Sequence, residues 1–558
     1  MKEKYNQWLN YADLDQELKN VLLDYSEEEI EEAFGTDLVF GTGGMRGILG
    51  PGTNRLNIYT VRKVAYCYGK YLLESNPKPK AVIAYDNRLK SVDFAYVAAQ
   101  ALSSVGVKVY LFDDLRSTPV LSFAIRYLQA DGGMMITASH NPPRYNGLKV
   151  YDQDGCQLSL ELSDKLINII QNEEKFFDIE VQDLKSLLAN NQIEYIGLDV
   201  DKAYIEKLQE VLLHPEIDYR NLNVTFTPLH GTSTKLIRKI FNRYGFNVNY
   251  VTKQMINDPY FTTLTSPNPE NFSAFDEAIK VARVHNSDII IATDPDADRV
   301  GVCVRTKDGK YQLLSGNQVG AILIYYIVNN KRFDKTGMVI TTIVTSDIGE
   351  RIAKAYDLEV KRTLTGFKFI GEQMKLIENS QDYEFAFGYE ESIGYIVKDI
   401  VRDKDALQSV VCILEAASYY LYQGKTLLDV LNEIYEKFGY FYDEVVNINL
   451  VGYEGSKKIS NILNYFRNHY QELNLDFIIH EDYLTQIRYY TNQEEQINLP
   501  KSNVLKFYLP DGSWFAMRPS GTEPKMKIYL SIIGKTMNEA IDKANSIKQI
   551  ILEKINLI

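Results

Sequence analysis

One order of elements, repeated three times along the chain, constrains its fold more than any other feature. Short apolar runs at 81–86, 107–112 and 133–137 alternate with helix-like patterns at 91–106 and 119–130. The same β-α-β-α-β order returns at 223–227, 234–244, 246–251, 274–285 and 288–293, and again at 337–344, 346–356, 358–363, 367–377 and 384–388. Alternating strands and helices predict mostly parallel sheets covered on both faces, with ligands just outside the carboxyl ends of the strands. The residues past each third strand are therefore the ones to inspect. They are Ser139-His140-Asn141-Pro142, Asp294-Pro295-Asp296-Ala297-Asp298-Arg299 and Gly388-Tyr389-Glu390-Glu391-Ser392. The last stretch differs: strand-like 503–509, 514–517 and 526–532 surround a Gly/Pro loop before an amphipathic helix at 537–555. The expected fold class is α/β, with three successive βαβαβ-type domains and a C-terminal α+β domain. Expected boundaries are 1–200, 201–312, 313–440 and 441–558.

Several separate cores are expected, because 558 residues exceed what one core usually serves. A net charge of −13 argues against nucleic acid or an anionic membrane as the main partner, so an anionic ligand needs a locally basic pocket. Cys67, Cys156, Cys303 and Cys412 are scattered without C-x-x-C spacing, which disfavours a disulfide framework or a zinc site. Residues 1–9 lack the apolar segment of a signal peptide, and no run approaches 18 apolar residues. The expected location is the cytoplasm.

Asp294, Asp296 and Asp298 place three carboxylates within five residues directly after a buried-looking strand, and hard oxygen ligands at that density suit Mg²⁺. The bland alternative is an Asp-rich turn. An EF-hand is excluded, because Arg299 and Arg305 stand where its sixth-position Gly and twelfth-position Glu are required. A dehalogenase-type phosphatase loop, D-x-D-x-[TV], is the nearest rival, but Asp298 occupies its Thr/Val position. Ser139 lies beside His140; neighbouring side chains are expected to diverge, leaving the histidine poorly placed as its base. No G-x-S-x-G surrounds the serine. Alone, Ser-His-Asn-Pro reads as a structural turn. Arg518, Ser520, Gly521, Thr522 and Lys525 gather a guanidinium, two hydroxyls, close backbone approach and an amine, a set suited to phosphate, though a Gly/Pro hairpin is its bland reading. The Gly-rich segment 41–47 delivers Arg46 and does not match a P-loop.

These motifs, in this order, resemble the α-D-phosphohexomutases, and more closely their phosphoglucomutase and phosphopentomutase branch. The resemblance spans about residues 41 to 525, with Thr-Ala-Ser-His-Asn-Pro, Asp-Pro-Asp-Ala-Asp-Arg, Gly-Tyr-Glu-Glu-Ser and Arg-Pro-Ser-Gly-Thr-Glu-Pro-Lys one per domain. It implies four domains around a central cleft, Mg²⁺ held by Asp294, Asp296, Asp298 and Ser139, and a phosphorylated Ser139 as phosphoryl carrier. It further implies Lys149 as acid/base, Arg46 near the reacting phosphate and Lys404 as a substrate-side lysine. Sugar and phosphate contacts fall to Arg299, Thr365, Gly366, Lys368, Glu390, Ser392, Arg518, Ser520, Gly521, Thr522 and Lys525. One departure stands out: Ile393-Gly394-Tyr395 follows Ser392 where phosphomannomutase/phosphoglucomutase enzymes carry a histidine.

The activity expected is interconversion of α-D-glucose 1-phosphate and D-glucose 6-phosphate, with glucose 1,6-bisphosphate as intermediate and activator. Phosphopentomutase and phosphomannomutase are the alternatives within the class. An aspartyl-phosphate phosphatase centred on Asp294, or a catalytically silent phosphosugar binder, are the alternatives outside it. Expected partners are small-molecule sugar phosphates, with no nucleic acid or membrane and a monomeric or weakly homo-oligomeric chain.

Overall fold

The structure is a computed structural model that describes residues 1–41, 43–450, 452–519 and 525–558. By chain contacts it divides into two compact units, 1–316 with 367–426, and 317–366 with 427–558.

The chain opens with three helices, α1 (Lys2–Asn10), α2 (Gln16–Leu23) and α3 (Glu27–Phe34). Ser26 and Glu29 form a reciprocal capping box that satisfies orphan amides at the start of α3. The helices meet the first α/β block through an aromatic cluster: Trp8 is 1% exposed and packs edge-on or tilted against Phe34, Tyr59, Phe176 and Phe177, with ring centroids 5.2–5.9 Å away.

That block contains β1 (Gly44–Ile48), α4 (Ile58–Ser75), β2 (Lys80–Tyr85), α5 (Ser91–Ser104), β3 (Lys108–Phe112), α6 (Thr118–Tyr127), β4 (Gly132–Ile136), β5 (Tyr145–Asp152), α7 (Leu160–Asn172), α8 (Leu184–Ala189), β6 (Ile193–Ile196) and α9 (Leu198–Lys207). Its sheet runs β1-β5-β4-β2-β3-β6. The pairs β4–β2, β2–β3 and β3–β6 are parallel, as expected, while β4–β5 and β5–β1 are antiparallel. All five residues of β4 are buried, as a strand covered on both faces requires.

The second block comprises β7 (Asn223–Thr227), α10 (Ile237–Tyr244), β8 (Asn247–Tyr250), α11 (Asp276–His285), β9 (Ile289–Thr293), β10 (Val300–Arg305) and β11 (Tyr311–Leu314). Its sheet runs β11-β10-β9-β7-β8, parallel at β9–β7 and β7–β8 and antiparallel beyond β9. Next come α12 (Gly316–Asn330), β12 (Thr336–Thr342), α13 (Ile348–Ala355) and β13 (Glu359–Thr363), with β12 and β13 parallel. Then α14 (Phe367–Glu378), an antiparallel hairpin of β14 (Tyr383–Glu390) and β15 (Gly394–Ile396), and the almost wholly buried α15 (Ala406–Tyr422) return to the first unit.

The remainder is α16 (Leu427–Phe438), β16 (Tyr440–Asn449), α17 (Gly452–His469), β17 (Ile479–Asp482), β18 (Ile487–Tyr490), β19 (Glu494–Gln496), β20 (Leu505–Tyr508), β21 (Trp514–Pro519), β22 (Lys525–Gly534) and α18 (Met537–Leu557). Its seven strands form an antiparallel sheet, β16-β22-β21-β20-β17-β18-β19. The three strands expected there are present, joined by four others, so this α+β part is larger than the pattern suggests. Among the described residues no helix is long and apolar enough to cross a membrane, and all four cysteines are buried and free.

The aromatic cluster makes a stability prediction. Trp8→Ala should cost about 3–5 kcal/mol, as large buried aromatic truncations do, and should appear as much faster proteolytic removal of α1–α3 than in the native protein.

Candidate functional site

The three loops marked by the sequence are the turns of three antiparallel hairpins. Residues 137–144 join β4 to β5, 294–299 join β9 to β10, and 391–393 join β14 to β15. Each turn contains one non-glycine residue in the left-handed region: Ser139 (φ 52°), Ala297 (φ 53°) and Ile393 (φ 54°). Such residues cost of order 1–3 kcal/mol each and persist only where surrounding contacts impose them. Here each strained residue's carbonyl accepts a bond from elsewhere in the same unit. The Arg88 guanidinium donates to Ser139 O, the Ala406 amide to Ala297 O at 3.2 Å, and the Val300 amide to Ile393 O at 3.1 Å.

Arg88 organises the whole serine turn. It is buried and donates to the carbonyls of Ser139, Asn141, Pro142 and Tyr145, while the Ser139 amide donates to Thr137 Oγ1 at 2.8 Å. The Ser139 hydroxyl lies 3.0 Å from Asp294 Oδ2 and donates to it. The expectation that His140 diverges from Ser139 is corrected: His140 Nδ1 is 3.1 Å from Ser139 Oγ. Divergence holds for extended backbone, and the left-handed turn at Ser139 brings the two side chains together. Burial, with Arg299 and Arg46 nearby, pushes the His140 pKa well below its usual range, so the imidazole is neutral.

Asp294, Asp296 and Asp298 are all buried, and each offers a carboxylate oxygen within 4.8 Å of the others. Two lysines hold them. Lys149 Nζ lies 2.7 Å from Asp296 Oδ2 and 3.1 Å from Asp298 Oδ2, and Lys404 Nζ lies 3.2 Å from Asp298 Oδ2. Burial opposes the charge on Lys149, but Asp296 and Asp298 outweigh it and hold the pKa above the ordinary lysine value. Burial likewise opposes ionisation of Asp298, yet Lys149, Lys404 and Arg299 hold its pKa well below the usual carboxylate range. Asp294 goes the other way, raised by burial and then by Asp298 and Asp296. Neither lysine is solvated. Lys149 sits on β5 opposite Met135 and Gly44, and Lys404 lies in the buried segment 401–405. Gly394 makes room for the Lys404 stem, because a Cβ there would stand 2.2 Å from Lys404 Cδ.

The donor set fits a hard divalent cation. Asp296 Oδ1 and Asp298 Oδ1 are buried with no hydrogen-bond partner among the described residues, which is costly for a carboxylate oxygen unless something else coordinates it.

Of the other expected site residues, Arg299, Arg46 and Glu390 lie near this centre. The Arg299 amide donates to Asp294 Oδ1 at 3.0 Å, and its guanidinium pairs with Glu270 at 3.2 Å. Arg46 on β1 donates to Asn141 Oδ1 at 2.8 Å, which ties it to the serine turn. Glu390 is buried and near enough to Arg299 and Lys404 to raise the pKa of each, whereas Ser392 is half-buried. Lys368 is buried at the start of α14, which lowers its pKa. Thr365 and Gly366 belong to the other compact unit, as do the half-buried Arg518 at the end of β21 and the exposed Lys525 at the start of β22. Ser520, Gly521 and Thr522 lie outside the described residues. Sequence reasoning missed Arg88, the His140 contact and Thr118, whose hydroxyl donates to Asp296 Oδ2 at 2.9 Å. A Ser-Thr-Pro start to a helix after the second strand was the available signal for Thr118, and Arg88 had none beyond following a strand end.

Known proteins resemble this chain over most of its length. Models of the phosphoglucomutase/phosphomannomutase alpha/beta/alpha domains I, II and III match residues 37–176, 202–309 and 315–438. A phosphoglucomutase of Staphylococcus epidermidis is 38% identical over 548 residues, covering 96% of this chain and 99% of that protein. In fold, the chain is similar to the Paramecium exocytosis-sensitive phosphoprotein pp63/parafusin, a phosphoglucomutase solved in its open form, with TM-score 0.71, 17% identity and coverage of 92% and 95%. It is also similar to Aspergillus fumigatus N-acetylphosphoglucosamine mutase in complex with GlcNAc-6P and magnesium, with TM-score 0.50, 13% identity and coverage of 93% and 96%. With three consecutive domain models and a near full-length relative matched, the chain belongs to the phosphoglucomutase/phosphomannomutase family of α-D-phosphohexomutases.

Proposed function

We propose that this protein is a Mg²⁺-dependent phosphoglucomutase that interconverts α-D-glucose 1-phosphate and D-glucose 6-phosphate through a phosphorylated Ser139 and a glucose 1,6-bisphosphate intermediate. The observation that carries the reading is the placement of one strained serine hydroxyl 3.0 Å from a buried three-carboxylate cluster. The magnesium complex of the Aspergillus relative and the name of the Staphylococcus relative support it. The four domains are proposed at 1–200, 201–312, 313–440 and 441–558.

Asp294, Asp296 and Asp298 would hold the Mg²⁺ together with an oxygen on Ser139. When bound, that ion supplies positive charge beside the serine and draws electron density from a phosphoryl group carried there. The sugar hydroxyl attacks phosphorus, the new O–P bond forms as the P–Oγ bond breaks, and one proton passes overall from the sugar to Ser139 Oγ. Lys149, kept as an ammonium by two aspartates, is the group we assign to relay that proton and to stabilise the departing oxygen. Lys404 offsets charge on the opposite side of Asp298, and Arg46 meets the reacting phosphate. Glu390 and Ser392 accept and donate to the vicinal O3 and O4 hydroxyls, with Arg299, Thr365, Gly366 and Lys368 completing the sugar contacts. Arg518, Ser520, Gly521, Thr522 and Lys525 bind the phosphate that does not react, so that binding energy orients the hydroxyl that does. Glucose 1,6-bisphosphate that escapes leaves an unphosphorylated serine, which is why the same compound acts as activator.

Ser139→Ala should abolish mutase turnover and leave the fold intact, and intact-mass spectrometry should find a phosphate-sized adduct on some native molecules and none on the variant. Full activity in Ser139→Ala would favour the phosphatase centred on Asp294.

Asp296→Ala, or treatment with a chelator, should strongly reduce turnover with a smaller effect on glucose 6-phosphate binding, since the phosphate that does not react is gripped elsewhere. Unchanged turnover after the metal is stripped would make the carboxylate loop a structural element only.

Sugar choice follows from unpaired polar groups. Ribose 1-phosphate lacks the six-membered ring's O3 and O4 arrangement, and each lost bond to a desolvated group costs about 1–3 kcal/mol, so its kcat/KM should fall at least roughly tenfold below that of glucose 1-phosphate. Equal or higher efficiency with ribose 1-phosphate would reassign the protein as a phosphopentomutase. Mannose 1-phosphate, assayed alongside, separates the phosphomannomutase alternative.

A further inference from the structure

The metal loop is held from outside by two threonines on different elements. On one side, Thr232 donates both its amide and its hydroxyl to Pro295 O, at 2.8 and 2.9 Å, and Gly231 allows this approach, since a Cβ there would stand 2.5 Å from Pro295 Cα. On the other side, Thr118 opens α6, is fully buried, and makes two bonds to a single residue: its amide donates to Asp296 O and its hydroxyl to Asp296 Oδ2, both at 2.9 Å. Lys149 donates to the same Oδ2 at 2.7 Å. One carboxylate oxygen therefore carries two donors, while Oδ1 is buried and without a hydrogen-bond partner among the described residues.

We infer that Thr118 is a positioning residue for the divalent cation: by occupying Asp296 Oδ2 and fixing the backbone of the same residue, it turns Oδ1 toward the metal before the metal arrives. This inference rests on the proposed Mg²⁺ reading of the three-aspartate cluster. The physics is that of outer-sphere support, in which a hydrogen bond to one oxygen of a ligating carboxylate sets the direction of the other. Thr118 suits the task because its β-branched side chain has restricted χ1 freedom and its backbone is committed at a helix start. Without the hydroxyl, Lys149 is the donor left on Oδ2 among the described residues. Lys149 also bonds Asp298, so a free carboxylate can rotate with that flexible stem, and ordering it then falls to metal binding.

The test is Mn²⁺ binding to the full-length, chelator-treated protein, followed by calorimetry and by electron paramagnetic resonance of free Mn²⁺, with no substrate present. Thr118→Val removes the hydroxyl at nearly constant shape and keeps the amide bond, and should weaken Mn²⁺ binding about 10- to 100-fold. Thr118→Ser restores the hydroxyl and should bind within about threefold of the native protein, taking loss of one methyl as a minor perturbation. Asp294→Asn should bind more weakly than either. Native-like Mn²⁺ affinity in Thr118→Val, beside tight binding by the native protein, overturns the inference and leaves the metal site standing. Failure of the native protein to bind Mn²⁺ overturns the metal reading and the inference with it. If thermal melting shows that Thr118→Val does not fold, Thr118→Cys carries the same test, its weak thiol donor giving reduced affinity if the inference holds and native affinity if it does not.

Discussion

Three buried carboxylates within 4.8 Å of one another are the constraint around which this part of the molecule is arranged. Left alone, such a cluster would protonate or draw in water, because desolvation and mutual repulsion both oppose its charge. The chain answers with cations drawn from separate elements: Lys149 from β5, Lys404 from the segment ahead of α15, and Arg299 from the loop itself. Two ammonium groups meet at Asp298, whereas among the described residues Asp294 receives only amide and hydroxyl donors. The opposite pKa shifts of Asp298 and Asp294 follow from that asymmetry. They place the more weakly neutralised carboxylate beside Ser139.

Backbone strain is distributed in the same way. A left-handed serine, alanine and isoleucine would each relax if their turns were free to move. Each is instead locked through its carbonyl by a donor from a different element, so the turns brace one another. Val300, at the start of β10, donates to the turn that carries Glu390 and Ser392, and Ala406, two residues beyond Lys404, donates to the turn that carries the aspartates. Loops that come from distant points in the sequence are thereby fixed in register, and the precision required of phosphoryl transfer is supplied by rigid neighbours rather than by the loops themselves.

Much of this was legible in the sequence. The three repeated blocks correspond to observed strands and helices, and Ser139, Lys149, Asp294, Asp296, Asp298 and Lys404 do come together in one compact unit. What escaped was the antiparallel strand that follows each third strand. β5 contains Asn146-Gly147, which local chemistry reads as a turn, yet Asn146 spends its side-chain amide on Leu89 O and Ser91 Oγ, and Gly147 sits where a Cβ would be 2.4 Å from Met45 O. The close approach of β1 on one side and of Thr137 O on another explains that glycine. Arg88 escaped for a similar reason, because four carbonyl acceptors converge on it only after the 137–145 turn has closed.

The left-handed residue in the third turn shows how far the site depends on packing. A β-branched side chain in this conformation is strained more than serine or alanine, and glycine would relieve it. Ile393 nevertheless occupies the position, 2% exposed, with Tyr395 buried two residues later and its hydroxyl donating to Gly316 O. Burial of a side chain of this size contributes about 1.5–3 kcal/mol, comparable to the strain it offsets. A glycine would free the backbone but lose that anchor, and the turn that carries Glu390 and Ser392 would gain conformations. The strain is therefore held by the apolar core beneath the turn, which links the orientation of the polar groups above to the packing below.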